Sequence, residues 1–458
     1  MLIRFQVFNL LSFGTTVEFN TLAGRSSRLA HHVRPCNGCK LVRQTALYGP
    51  NGAGKSNLIK SIAYLQTFVR DGSLPSGWIA NSFKLNPKAN KSSGMGIEFC
   101  VGQNTFWYTV AAQNGLVVHE ELQSTGAGKN PDYRIFRRTD DGQTNSRPLL
   151  EFSDEWTKQP DWKSLLKYAI EEHLDRNESL LHFFLNRHEP QFEPCAEAAQ
   201  WLVRNLILVG PNSRPNQLPL LLERNPAFAQ FANDIFRNSG TGIERISVQT
   251  SRLEDYFGQD NPDKTNGYTA KLLANPQAVL ELPSATEKVL ALVENGQPVT
   301  KRLLYHHTTN TPETVAFNAP EESDGTRRLT ELLPAFFTAL NEPTVFLLDE
   351  IERSMHPTLI RVLLEKYASE SKALGQIIYT THETHLLDQD LLRPDEIWFV
   401  EKSQNGETRL HSLNDFKFHH TLDVRKGYLH GRFGAIPSLT SLKNQNWSTP
   451  QSHSSEQG

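Results

Sequence analysis

Cysteine is scarce in this chain, four in 458 residues. That suits a protein kept in a reducing compartment and gives no disulfide framework to read. Long apolar runs are missing as well. No stretch of about eighteen residues could serve as a membrane span, so no membrane partner is expected. The opening MLIRFQVFNL carries one Arg, then Gln and Asn, with no small-residue cleavage site behind it. A secretion signal is therefore not expected, and the location read is cytoplasmic. Excess positive charge is also absent: 47 Lys and Arg stand against 50 Asp and Glu, a net charge of −3. Any contact with nucleic acid would have to come from a local patch. The chain shows no repeat, no low-complexity tract and no heptad series. Hydrophobic residues make up 38% and charged residues 21%, enough for a sizeable core, and the length suggests two or three structural units.

Pattern then organises the chain. Ile3, Phe5 and Val7 share one face of a short strand, and Val17 and Phe19 share one face of a second, a β-hairpin around Gly14. LVRQTALY (41–48) reads as a buried strand feeding a glycine-rich loop. SNLIKSIAYLQTFV (56–69) has apolar residues at 58, 59, 62, 65, 68 and 69, one face of a helix. GIEFCV, TFWYTVAA and GLVVHEEL read as successive strands. Composition shifts near residue 150, and SDEWTKQPDW through FAQFANDIFRNSG reads as several short helices punctuated by Pro and Gly. Strand-like text returns at IERISVQT, RLLYHHTT and ETVAFNAP. From 321 strands and helices alternate, and all-apolar pieces such as Val345–Leu348 and Ile377–Tyr379 suit a sheet covered on both faces. The expected organisation is an N-terminal lobe (1–150), a helical insertion (151–239), a C-terminal lobe (240–445) and a disordered tail (446–458).

Residues 49–56, GPNGAGKS, match G-x-x-x-x-G-K-[ST] between a strand and a helix. Glycines let main-chain N–H groups wrap phosphate oxygens, the Lys reaches the β- and γ-phosphates, and the Ser hydroxyl binds Mg²⁺. The amino end of the following helix faces the same anion. Asn51, Gly52, Gly54, Lys55, Ser56 and Asn57 are the expected ATP-binding residues. TVFLLDEIE (344–352) supplies an acidic strand end: Asp349 is placed to hold Mg²⁺ with Ser56, and Glu350 to polarise an attacking water. Alone, that stretch would read as a strand ending in solvated acids. EESDGTRRL (321–329) offers a second anion-binding helix start at Ser323 and Gly325, against the plain reading of a turn and helix cap. IIYTTHETHLLD (377–388) sets His382 just past a buried strand, with His385 a neighbour. In ERSMHPTL (352–359), His356 suits either a partner contact or a helix start with Pro357 in the first turn. HHVRPCNGC (31–39) combines C-x-x-C with two His, so His31, His32, Cys36 and Cys39 are a metal candidate lacking a second C-x-x-C.

The ordered set FNLLSFG, GPNGAGKSN, HEEL, SDGTRRL, FLLDEIERSMHP, TTHETHLLD, DEIWFVEK and GYLHGRFGAIP resembles the RloA-like ATPases, in the SMC/OLD branch of ABC ATPases, with the AriA proteins of PARIS systems as relatives. The resemblance covers roughly 1–125 and 315–440. It implies an α/β fold, an ABC-type P-loop NTPase head with a split nucleotide-binding domain and a helical insertion. It implies catalytic roles for Glu350 and His382, the latter sensing γ-phosphate, and a signature role for Ser323 and Gly325, which would bind the γ-phosphate held by the opposite subunit. A homodimer or higher homo-oligomer with composite ATP sites follows. It further implies a sensor subunit of a bacterial anti-phage system, encoded beside an effector such as a Toprim-type nuclease or an RloB-like protein, and triggered by a phage protein or nucleic acid. The HHVRPCNGC insertion departs from that pattern, and neither Gln66 nor Gln103 stands in Q-loop context.

Rival readings are a RecF- or SMC-like DNA-repair ATPase and an ATP-gated scaffold with little turnover. A transporter subunit fits poorly, given the hairpin and the wide split between motifs. About 55 residues follow EKSQNG, too few for an appended Toprim domain, so any cutting of nucleic acid falls to a partner.

Overall fold

The computed structural model describes residues 1–85, 91–126, 132–141, 148–153, 174–213, 217–258, 261–284, 287–311, 313–416 and 423–435. The stretch 154–173 expected to be helical, with its acids Asp154, Glu155, Glu171 and Glu172, and the tail 446–458 lie outside them.

Two sheets enclose one helix. The first is antiparallel and seven-stranded, in the order Leu149–Phe152, Tyr133–Thr139, Leu116–Ser124, Asn104–Gln113, Ser93–Val101, Leu2–Phe8, Val17–Asn20. Its end hairpin pairs Phe5 with Phe19 and Val7 with Val17, all four buried, as the period-2 pattern requires. The second runs Leu206–Val209, Val345–Leu348, Gln376–Thr381, Gln44–Tyr48, Ile397–Lys402, Thr408–Ser412. Its strands are parallel except for the last pair. Helix Lys55–Asp71 lies between the sheets. Its expected stripe, Leu58, Ile59, Ile62, Leu65, Phe68 and Val69, is buried with Ile97, Phe99 and Tyr108 of the antiparallel sheet and Leu47, Leu347 and Ile378 of the parallel one.

Alternate residues of the parallel strands face the other way, as a pleated strand dictates. Ala46, Tyr48, Phe346, Leu348, Ile377 and Tyr379 pack under helices Leu218–Arg224, Pro226–Asn238, Asp324–Asn341 and Pro357–Ser369. That two-sided cover is why these strands read as unbroken apolar runs.

Several elements differ from expectation. The stretch AEAAQWLVRNLILV is not all helical: helix Glu193–Gln200 passes through a wide π-turn, Trp201–Asn205, into strand Leu206–Val209, which pairs in parallel with Val345–Leu348. A four-residue apolar run carries no periodicity that separates strand from helix. Part of the stretch read as an insertion therefore belongs to the parallel sheet, and removing 151–239 as a block would remove an edge strand. LVRQTALY is two strands, Cys39–Val42 and Gln44–Tyr48, parted at Arg43, whose guanidinium donates to the carbonyls of His31, Ala368 and Glu370. A further sheet of Ile243–Arg252, Gln297–Thr308, Val289–Glu294 and Leu280–Leu282, with Thr314–Asn318 beside Gln297–Thr308, fills the span before the signature-like motif. Cys36 is joined to Cys100 in a disulfide, where scarce reduced thiols were expected. The pairing rests on a fold contact between residues 64 apart that sequence spacing does not reveal.

Leu347 is fully buried at the centre of this stack. Leu347→Ala should cost about 2–5 kcal/mol of stability in urea unfolding. A loss under about 1 kcal/mol would place the strand away from the core.

Candidate nucleotide-binding site

Buried strand Gln44–Tyr48 delivers the chain to Gly49, where a Cβ would lie 2.2 Å from the Val400 carbonyl oxygen. Only glycine fits there. Gly54 has φ 115°, and a Cβ on it would lie 2.1 Å from Thr408 Oγ1. Asn51 and Gly52 stand exposed at the loop tip. Gly54 is also the N-cap of helix Lys55–Asp71, and no side chain caps that end. The helix start is thus open to an anion.

Lys55 is buried, its Nζ donating to the carbonyls of Gly49 (2.7 Å) and Pro50 (3.2 Å). Burial pulls its pKa down to about 8, opposed by the charges of Glu352, Asp349 and Glu350. Ser56 Oγ donates to Asp349 Oδ1 at 3.1 Å. Asp349 caps strand Val345–Leu348, its main-chain N–H donating to Val209 O. Thr380 Oγ1 donates to the same Asp349 oxygen at 2.6 Å and accepts from Glu350 N at 2.8 Å. Glu350 holds φ 51°, a left-handed conformation that costs a non-glycine residue about 1–2 kcal/mol. His382 sits 3.4 Å from Lys55 Nζ through Nδ1, and its N–H donates to Glu352 Oε1 at 2.6 Å. Burial and then the Lys55 charge hold its pKa below the usual imidazole value.

The fold therefore gathers Lys55, Ser56, Asp349, Glu350 and His382, residues separated by more than 300 positions at the extremes. Asn57 points elsewhere: its amide donates to Ser12 Oγ at 2.8 Å, and Thr408 Oγ1 lies 2.7 Å from both Ser12 Oγ and Ala53 O. Ser12 comes from the tip of the N-terminal hairpin and braces the loop from outside. The sequence groups Glu352 with Asp349 and Glu350 as the acidic cluster committed to ATP, whereas Ser12, Thr380 and Thr408 carry no role assigned from it. The pair of threonines before His382 was the one available hint.

Ser323 is the N-cap of helix Asp324–Asn341, its Oγ accepting from Thr326 N. Gly325 abuts its own chain: a Cβ there would lie 2.7 Å from Ser354 O. Arg328 of the same helix approaches Asp349 O and Gly210 O at 3.5 and 3.4 Å. His356 caps helix Pro357–Ser369 by accepting from Thr358 N, the helix-start alternative. Gln66 donates to the carbonyls of Leu202 and Leu206, tying helix to edge strand.

HHVRPCNGC does not assemble a metal site. Buried His32 lies 3.0 Å from both Glu396 carboxylate oxygens, Cys36 is in its disulfide, and Cys39 Sγ faces Cys36 O. Among the described residues no group of three or more His, Cys, Asp and Glu side chains converges as metal ligands.

A phosphate loop on a parallel strand, followed by a helix and flanked by an acid-tipped strand, defines an ATPase of the P-loop class. The chain belongs to the family described as "AAA domain, putative AbiEii toxin, Type IV TA system", whose model matches residues 45–388. No curated protein matches it. Among solved structures it is similar to the SMC head domain from Thermotoga maritima, at 13% identity and TM-score 0.38, covering 90% of this chain and 98% of that one. It is likewise similar to an SMC head bound to the C-terminal winged-helix domain of ScpA, at 14% identity and TM-score 0.39, covering 90% and 97%.

Gly54→Ala should weaken binding of a fluorescent ATP analogue at least about tenfold, since clash and left-handed backbone add. Gly52→Ala, with φ 77° but nothing within 4 Å, should cost less. Equal binding by all three proteins would remove the loop from the site.

Proposed function

We propose that the chain binds ATP with Mg²⁺, hydrolyses it, and acts as the sensor and regulatory subunit of an anti-phage defence system that controls a separate effector. The observation that carries the ATPase part is the hydrogen-bonded convergence of Ser56, Asp349 and Thr380 beside Lys55. The residues present suit the ligand. The uncapped helix start and the glycine cradle suit phosphate, and a hydroxyl beside a carboxylate is an oxygen donor set of the kind Mg²⁺ takes. Ser56 and Asp349 would hold the ion, which when bound neutralises phosphate charge. Lys55 would exchange its two carbonyl partners for phosphate oxygens. Asn51, Gly52, Gly54 and Asn57 would shape or brace the loop around them. Glu350 would accept the proton of the attacking water, and His382 would contact the terminal phosphate.

Ser323 and Gly325 would complete the site of a second copy, making a homodimer with composite sites. The regulatory reading rests on the RloA-like motif order alone. The effector would be a Toprim-type nuclease or RloB-like protein acting beside it in the cytoplasm, and the trigger a phage protein or nucleic acid.

Lys55→Ala should abolish ATP turnover. Glu350→Gln should keep binding but turn over about 10²–10⁴-fold more slowly, since shape stays and the base is lost. Neither wild type nor variant should cut DNA or RNA. Cleavage retained in Lys55→Ala would make the chain its own effector.

Mixing tests the composite site. Gly325 abuts its own Ser354 main chain, so the milder lesion is at exposed Ser323, which gives up its helix-cap bond to Thr326. Ser323→Arg mixed with Lys55→Ala leaves one intact composite site per heterodimer. Partial recovery of turnover is expected, and none, with heterodimers shown to form, would rule out action in trans.

A further inference from the structure

Glu352 belongs to none of the motif roles above, yet it bridges two of them. It lies in the turn after the acid-tipped strand, three residues past Asp349, and its Oε1 accepts the main-chain N–H of His382 at 2.6 Å. Its other oxygen, Oε2, is buried with no hydrogen-bond partner. The same turn is tied to the same strand end once more, through Thr380 to Glu350 N and Asp349 Oδ1. Thr380 thus fixes the position of Glu350, and Glu352 fixes the residue two further on, whose imidazole reaches within 3.4 Å of Lys55 Nζ. A carboxylate accepting a main-chain N–H makes a charge-assisted bond, stronger than a neutral one.

We propose that Glu352 is a positioning residue: it clamps the main chain at His382 and so holds that imidazole at the phosphate end of the site. The inference rests on the ATPase reading of His382. Because the acceptor oxygen is what the clamp needs, a neutral amide serves in its place. A proton-transfer role would need the carboxyl itself.

Glu352→Ala, Glu352→Gln and His382→Ala are compared in the full chain. Amide hydrogen exchange at His382 should be faster in Glu352→Ala and slow in wild type and Glu352→Gln. Glu352→Ala should lower kcat for ATP roughly ten- to hundred-fold, the scale of a misplaced catalytic group, with KM within a few-fold and thermal midpoint unchanged. Glu352→Gln should recover most of the turnover. Glu352→Ala combined with His382→Ala should be no slower than His382→Ala alone, because both act through one imidazole. Exchange at His382 unchanged in Glu352→Ala, or Glu352→Gln as slow as Glu352→Ala, overturns the proposal. Absence of turnover in wild type, or no effect of His382→Ala, instead overturns the ATPase reading of the site, and the exchange measurement still decides the clamp.

Discussion

Parallel hydrogen bonding among three strands closes this site. Val345–Leu348 pairs with Gln376–Thr381, and Gln376–Thr381 pairs with Gln44–Tyr48, so that Leu348 lies beside Tyr379 and Thr381 beside Tyr48. Each strand runs out at the same edge, and the residue just past each end belongs to the candidate site: Gly49, Asp349 and His382. Ligands of open α/β sheets bind at the carboxyl ends of strands for this reason. A one-residue slip in either pairing would turn the apolar sets of Leu347 and Ile378 to the wrong layer and separate Ser56 from Asp349. Burial on both faces is what forbids the slip.

Polar groups at that edge partner one another, with Glu352 Oε2 and Arg328 Nε left over. Asp349 receives Ser56 and Thr380, Lys55 is spent on two loop carbonyls, and Glu352 takes a main-chain N–H. Charged groups half-removed from water are costly without such partners. The left-handed Glu350 is held by the bond from its N–H to Thr380, so the strain is carried by the network that also orients the acids. The loop is fixed from outside as well, by Val400 against Gly49 and by Ser12 and Thr408 behind Gly54.

Much of this was legible from residues alone, for identifiable reasons. Helix Lys55–Asp71 and the N-terminal hairpin announce themselves because each has one wet and one dry face. The strands of the parallel sheet are readable because they have no wet face, and the glycine loop because its conformation needs glycine. Leu206–Val209 escaped because four apolar residues after a helix carry no period, and its strand character comes only from pairing with Val345–Leu348. The Cys36–Cys100 link escaped for the same kind of reason, being made by a fold contact. Thr380 escaped, and Glu352 was legible only as a third acid beside Asp349 and Glu350, because a hydroxyl or carboxylate that acts on neighbouring main chain needs no fixed spacing.

The wide gap between the two halves of the site is not a spacer. Strand Leu206–Val209 forms the edge beyond the acid strand, and Val209 O accepts from Asp349 N. Gly210, at that strand's end, is reached by Arg328 of the signature-like helix, which also reaches Asp349 O. From the other direction, His307 of the outer sheet meets buried Glu322 at 2.5 Å, immediately before Ser323, and its ring lies tilted 4.6 Å from that of Phe317. The outer sheet is therefore joined to the start of helix Asp324–Asn341, and that helix to the acid strand. Named contacts thus run from Gln297–Thr308 through Glu322 and helix Asp324–Asn341 to Asp349. That route is the physical content of a split nucleotide domain: the chain leaves the site at Lys55 and returns at Asp349 having built, in between, the parts that bear on both.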